Sequence, residues 1–150
     1  MDIADKTVLL TGGSAGIGRE LARQMQARGA TVMVTGRNAE RLDSMRAEGF
    51  EAIGADLSSA AGVDALVALL SGRAVDILVN NAGQGVDHDF REAAPDVDAA
   101  DACIYANLNA PIRLTAALMP VLRTRPEAAI VNVTSGLAIA PRAGGPVYCA

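Results

Sequence analysis

No tryptophan occurs among the 150 residues, and tyrosine and phenylalanine occur twice each, so stacked aromatics cannot build the core. Apolar residues still make up 51% of the chain, which leaves Ala, Val, Leu and Ile to fill it, the side chains that pack helices onto a parallel sheet. Cysteine is scarce as well. Cys103 and Cys149 form neither a disulfide framework nor a metal-ligand pair, which fits a reducing compartment, and both read as small buried hydrophobes. There is no basic excess: 17 acidic residues against 13 Lys and Arg leave a net charge of −4. With the cations scattered, no field draws in nucleic acid or an anionic membrane. No apolar run reaches the length of a membrane span, and Met1 to Lys6 lacks the basic start and apolar stretch of a signal peptide. A cytoplasmic domain that takes a small-molecule ligand is expected.

The only histidine, His88, lies among Asp87, Asp89, Glu92, Asp96, Asp98 and Asp101. Neighbouring residues in a loop seldom converge on one ion, whereas acidic residues suit a helix start, so no metal site is expected.

Strand-length apolar runs alternate with stretches of helical period. Thr7 to Leu10, Thr31 to Thr35, Glu51 to Ile53, Val75 to Val79 and Ala129 to Val133 read as strands. Helices are expected over Ile17 to Arg28, closed by Gly29, over Ala39 to Glu48, closed by Gly49, and from a Ser59 cap to Leu70. Gln84 to Pro95 reads as a loop, and Asp96 to about Leu122 as a long helix that bends near Pro111 and ends or kinks at Pro120. Ser135 to Pro146, rich in Gly and Pro, reads as loop throughout. Regular βα alternation predicts an α/β fold in one domain over 1–150: a Rossmann-like doubly wound parallel sheet with right-handed crossovers and helices on both faces.

Gly12, Gly16 and Gly18 follow the first strand and open the first helix. Glycines there let the backbone turn sharply and approach a pyrophosphate, whose charge meets the free amides of the helix start. The second strand ends Thr35-Gly36-Arg37, with no carboxylate to bind ribose hydroxyls and a guanidinium able to bind a 2′-phosphate. NADP(H) is therefore the expected cofactor, although Arg37 also reads as an ordinary surface arginine at a helix start. Arg19 is a second, weaker candidate for the phosphate.

The spacing Thr11-Gly12-x-x-x-Gly16-Ile17-Gly18, with Asp56 after the third strand, Asn80-Asn81-Ala82-Gly83 after the fourth, Asn107 in the long helix, Ser135 after the fifth and then Tyr148, resembles the classical short-chain dehydrogenases/reductases. The matches keep the family's order and cover essentially the whole chain. The resemblance implies that Gly12, Ser14, Gly16, Ile17 and Gly18 hold the cofactor phosphates. It places adenine at Asp56 and Leu57, and makes Asn80, Ala82 and Gly83 part of the sheet end and the cofactor cleft. Read from the residues alone, Asp56 is a cap for the next helix and Asn80 to Gly83 a turn.

By the same resemblance Ser135 orients the substrate oxygen, Tyr148 moves its proton, and Asn107 anchors a relay water. The implied activity is hydride transfer to or from a carbonyl or alcohol substrate. The family's lysine four residues after the tyrosine would stand at position 152, beyond these residues, with the last strands and the closing loop of the full-length fold. Without a neighbouring cation only about one phenol in a thousand ionises at pH 7, so an incomplete domain that binds cofactor without turnover, or needs a partner chain, is the competing expectation. The long helix from Asp96 resembles an interface helix of the family, which makes a homo-oligomer one expectation and leaves the oligomeric state open.

Overall fold

The computed structural model describes residues 1–87, 89–91 and 96–150. The strands β1 (Thr7–Leu10), β2 (Thr31–Gly36), β3 (Glu51–Gly54), β4 (Ile77–Asn80) and β5 (Ala129–Asn132) form one parallel sheet in the order β3-β2-β1-β4-β5. Between them run α1 (Gly16–Ala27), α2 (Ala39–Ala47), α3 (Ala60–Leu69), α4 (Val97–Ile104) and α5 (Ala110–Leu122), and α6 (Pro146–Cys149) follows β5. The expected α/β, Rossmann-like architecture is the observed one.

The strands are apolar at successive positions because both faces of the sheet are covered. Val8, Leu10, Val32, Val34, Ile77 and Val79 point to the face that holds Ala22 of α1 and Leu42 and Met45 of α2. Leu9, Met33 and Leu78 point the other way, onto Val63 and Leu66 of α3 and Leu114 and Leu118 of α5. Leu9 and Leu78 are fully enclosed, and burying each side chain contributes about 2 kcal/mol. β5 is the exception: Ile130 and Val131 remain exposed on it.

Three boundaries differ from the sequence reading. The long helix is broken by a π turn, Tyr105–Asn109, between α4 and α5. Pro111, which has no N–H to offer the Asn107 carbonyl, stands in the first turn of α5, while the Ala110 N–H reaches back five residues to the Tyr105 carbonyl. α5 also runs two residues past Pro120 to Leu122 before ending. The stretch after Ser135 is not all loop: Gly136–Ala138 form a 3-10 turn, capped by Ser135 Oγ accepting the Leu137 N–H at 3.2 Å, and Pro146 opens α6. A proline suits that first helical position. Within the expected loop from Gln84 to Pro95, His88 and residues 92–95 lie outside the described residues, and so does the His88 part of the metal question.

Asp76 clasps the amino-terminal rim of the sheet. Its buried carboxylate accepts the Thr7 N–H at 2.8 Å and Arg125 Nε at 2.6 Å. Burial pushes its pKa up, but the Thr7 and Arg125 hydrogen bonds with the charges of Arg125 and Lys6 outweigh it, and the net shift is downward.

Candidate functional site

The strand order reverses direction between β1 and β4, and the crevice at the carboxyl ends of such a sheet is where α/β folds bind ligands. Here the end of β1 is tied to the end of β4 by side chains. Thr11 Oγ1 donates to the Val79 carbonyl and accepts the N–H groups of Asn81 and Ala82, both at 3.0 Å. Asn81 Nδ2 returns the contact, donating to the Thr11 carbonyl at 2.9 Å and the Gly12 carbonyl at 3.3 Å. Thr35 Oγ1 on β2 accepts the Gly12 N–H. Thr11, Thr35 and Asn81 thus hold the glycine loop from three sides. Sequence reasoning took Asn81 only as part of the stretch from Asn80 to Gly83 and gave Thr11 and Thr35 no role of their own, since their signal was only their position at strand ends.

Gly16 and Gly18 differ in what they spare. Gly16 adopts a φ of +52°, and a Cβ there would meet nothing within 4 Å. That leaves open space over the α1 start, where an anion is best received. A Cβ on Gly18 would strike the Gly12 carbonyl and come within 2.5 Å of Asn81 Nδ2, so this glycine is required first by the loop itself. Ile17 beside it is exposed, whereas Ser14 is buried with its Oγ against Gly36.

A groove of about 280 Å³ opens beside the loop, lined among others by Gly12, Ser14, Arg37, Arg41, Asp56 and Leu57, and by Ala82 and Gly83. Arg37 Nη1 lies 3.8 Å from Asp56 Oδ1. Asp56 is not the cap of α3, a role filled by Ser59, whose side chain accepts the Gly62 N–H. Its carboxylate accepts Ser58 Oγ at 2.8 Å and the Ser58 N–H at 3.1 Å, and those bonds, with Arg37, lower its pKa. Arg41 is a second cation that the sequence reading passed over, although its spacing of four from Arg37 across a helix start was visible. Arg19 belongs elsewhere: it pairs with Glu48 and donates to Ser44 Oγ at 2.9 Å, joining α1 to α2. Hydrogen bonds from Arg23 and Arg19 hold the Glu48 carboxyl down to about 2.

Asn80 is buried and donates through Nδ2 to Asn132 Oδ1 at 2.8 Å, locking β4 to β5 below the crevice, and it does not line the groove. Asn107 sits in the π turn. Its Nδ2 donates to the Gln84 carbonyl at 2.7 Å and the Cys103 carbonyl at 2.9 Å, and its Oδ1 accepts the Gln84 N–H at 3.3 Å. A Cβ on Gly83 would lie 2.6 Å from that oxygen, so the approach of helix to loop needs glycine there. α6, carrying the half-buried Tyr148, packs on the 3-10 turn headed by Ser135 and on α4. α6 therefore lies against the turn headed by Ser135 and against the helix that leads into the π turn of Asn107.

The sequence profile of the short chain dehydrogenase family matches residues 6–150. The chain belongs to this family of oxidoreductases. The short-chain dehydrogenase is 40% identical to the uncharacterized oxidoreductase DltE of Bacillus subtilis, over 100% of this chain and 61% of the relative. It is 36% identical to the serine 3-dehydrogenase of Agrobacterium fabrum, over 95% and 58%. Among solved structures it superposes on the L-sorbose reductase of Gluconobacter frateurii, complexed with NADPH and L-sorbose, with a TM-score of 0.84 and 31% identity, covering 99% of this chain and 60% of that one. The chain spans about three fifths of the length of these relatives. Among the described residues, no helix is long and apolar enough to cross a membrane.

Proposed function

We propose that this short-chain dehydrogenase binds NADP(H) and takes part in hydride transfer to or from a small carbonyl or alcohol substrate. The observation that carries the cofactor choice is the pair of guanidiniums, Arg37 and Arg41, lining the groove just past β2 where an NAD-binding fold would present a carboxylate. A 2′-phosphate suits that donor set, and the NADPH in the L-sorbose reductase complex is in keeping with it. On this reading Gly12, Ser14, Gly16, Ile17 and Gly18 receive the pyrophosphate, Asp56 and Leu57 flank adenine, and Ala82 and Gly83 wall the nicotinamide side, with Asn80 bracing the sheet beneath.

The cofactor, when bound, supplies or accepts the hydride. The chain supplies the rest: Ser135 Oγ orients the substrate oxygen, Tyr148 Oη gives or takes its proton, and Asn107 holds the π turn against Gln84 so that a relay water has a fixed seat. Ile104, Leu108 and Ile112, spaced by four along α4, the π turn and α5, are large apolar side chains left exposed on one face. They fit a second copy of the chain, and sedimentation should show a dimer or larger. The main test is the ratio of NADPH to NADH dissociation constants in wild type and Arg37→Ala. A native preference for NADH overturns the cofactor assignment.

A further inference from the structure

On the reading above, two loops flank the substrate side of the crevice: the one after β4, beginning at Gln84, and the one between Ser135 and Tyr148. Among the described residues they are joined by an ion pair, Arg142 Nη2 with Asp87 Oδ1. Arg142 stands seven residues after Ser135 and six before Tyr148. Its guanidinium lies against Gly145, where a Cβ would come within 3.1 Å of Nε and 3.4 Å of Nη2, and its carbonyl accepts the Gly145 N–H. The cation is thus seated at the entry to the helix that carries Tyr148.

The pair is built to be exchanged. Its side chains are 53% and 77% exposed, and exposed pairs contribute little net stability. Among the described residues the guanidinium meets a carboxylate through Nη2 alone, whereas it can offer two parallel N–H donors. Arg91, a cation of the loop after β4, already uses Nε and Nη2 on both oxygens of Asp89. A ligand that brings both carboxylate oxygens to Arg142 would exchange a one-point contact for a two-point one. A neutral ligand would leave Asp87 in place.

We propose that Arg142 selects substrates bearing a carboxylate near the reacting carbonyl or alcohol carbon, with Asp87 holding the guanidinium until such a substrate takes over the pairing. This rests on the oxidoreductase reading above and narrows its substrate class to oxo or hydroxy acids.

Acetoacetate and methyl acetoacetate share the ketone and differ in the charge. Their binding to the full chain is measured by saturation-transfer NMR, with and without NADPH, beside a separate NADPH titration. Acetoacetate should bind about tenfold tighter than the ester. Arg142→Gln should equalise the two, and Arg142→Lys should retain part of the preference. Asp87→Asn should tighten acetoacetate several-fold and leave the ester unchanged. Equal affinities in the wild type, or a preference that survives Arg142→Gln, overturns the proposal. A protein that binds NADPH without preferring acetoacetate loses only this proposal, whereas a preference without NADPH binding overturns the cofactor assignment instead.

Discussion

Arg37 and Arg41 bracket the start of α2 and give the end of β2 a positive face. Losing one charge-assisted contact costs about 1.5–3 kcal/mol, so Arg37→Ala should weaken NADPH binding about tenfold or more while NADH affinity stays near its wild-type value. Fluorescence titration of both nucleotides checks this, and an unchanged NADPH affinity would remove Arg37 from the phosphate site. The glycines of the loop should separate in the same way. Gly16→Ala meets no neighbour but must hold a left-handed φ, at a cost of about 1 kcal/mol, and should lose mainly cofactor affinity. Gly18→Ala must displace the Gly12 carbonyl or Asn81, so its urea midpoint should fall further than that of Gly16→Ala. The opposite order would mean that Gly18 is spared for ligand and not for the loop.

Among the elements, the rim formed by β1, β4 and β5 depends on Asp76. The folded pKa of this carboxyl lies below the value of about 3.9 for an unfolded aspartate. It therefore contributes stability that is present above about pH 4 and is lost as pH falls through the folded value. Asp76→Asn should cost about 2 kcal/mol at neutral pH. The gap between variant and wild type should close below about pH 4, as read from urea melts across pH. A pH-independent gap would assign the effect to packing. Strands and helices were legible to within a residue or two because their cues are local: apolar runs, Ser59 as a cap, Gly29 and Gly49 past helix ends. The π turn was not, since Pro111 announces a break without saying that the chain re-registers before it and continues. Nor was the 3-10 turn, a feature too short to carry a period.

At the scale of the molecule, the proposed chemistry draws on the turn of Ser135, the π turn of Asn107 and α6 of Tyr148, and α6 packs on the first of these and on the helix that leads into the second. A polypeptide of these 150 residues is expected to bind NADPH but to reduce carbonyls weakly or undetectably, because the lysine that the resemblance places at position 152 is not among them. Extension that supplies a lysine at position 152 and the remainder of the fold should restore turnover. In that protein Tyr148→Phe should abolish nearly all of it with little loss of NADPH affinity, and Ser135→Ala should reduce it strongly. NADPH consumption measured beside NADPH binding separates these outcomes. Reduction by the 150 residues alone that persists in Tyr148→Phe would show that the proton comes from elsewhere.

Much of the candidate site was proposed from sequence, since the glycine spacing, Asp56, Asn80 to Gly83, Asn107, Ser135 and Tyr148 each follow a recognisable element in a recognisable order. Taken alone, the sequence determined the parallel sheet, because strands buried on both faces must be apolar without alternation, and it determined the family, because motifs in fixed order need no distances. Only the tertiary structure decided which polar side chains hold those motifs still. Thr11 with Asn81, Asn107 with Gln84, Arg19 with Glu48 and Asp87 with Arg142 pair residues that lie 23 to 70 apart in the chain. Hydrogen bonds and ion pairs of that reach leave no local period or spacing to read, and they come into being only when the crossovers of the sheet bring strand ends and loops together.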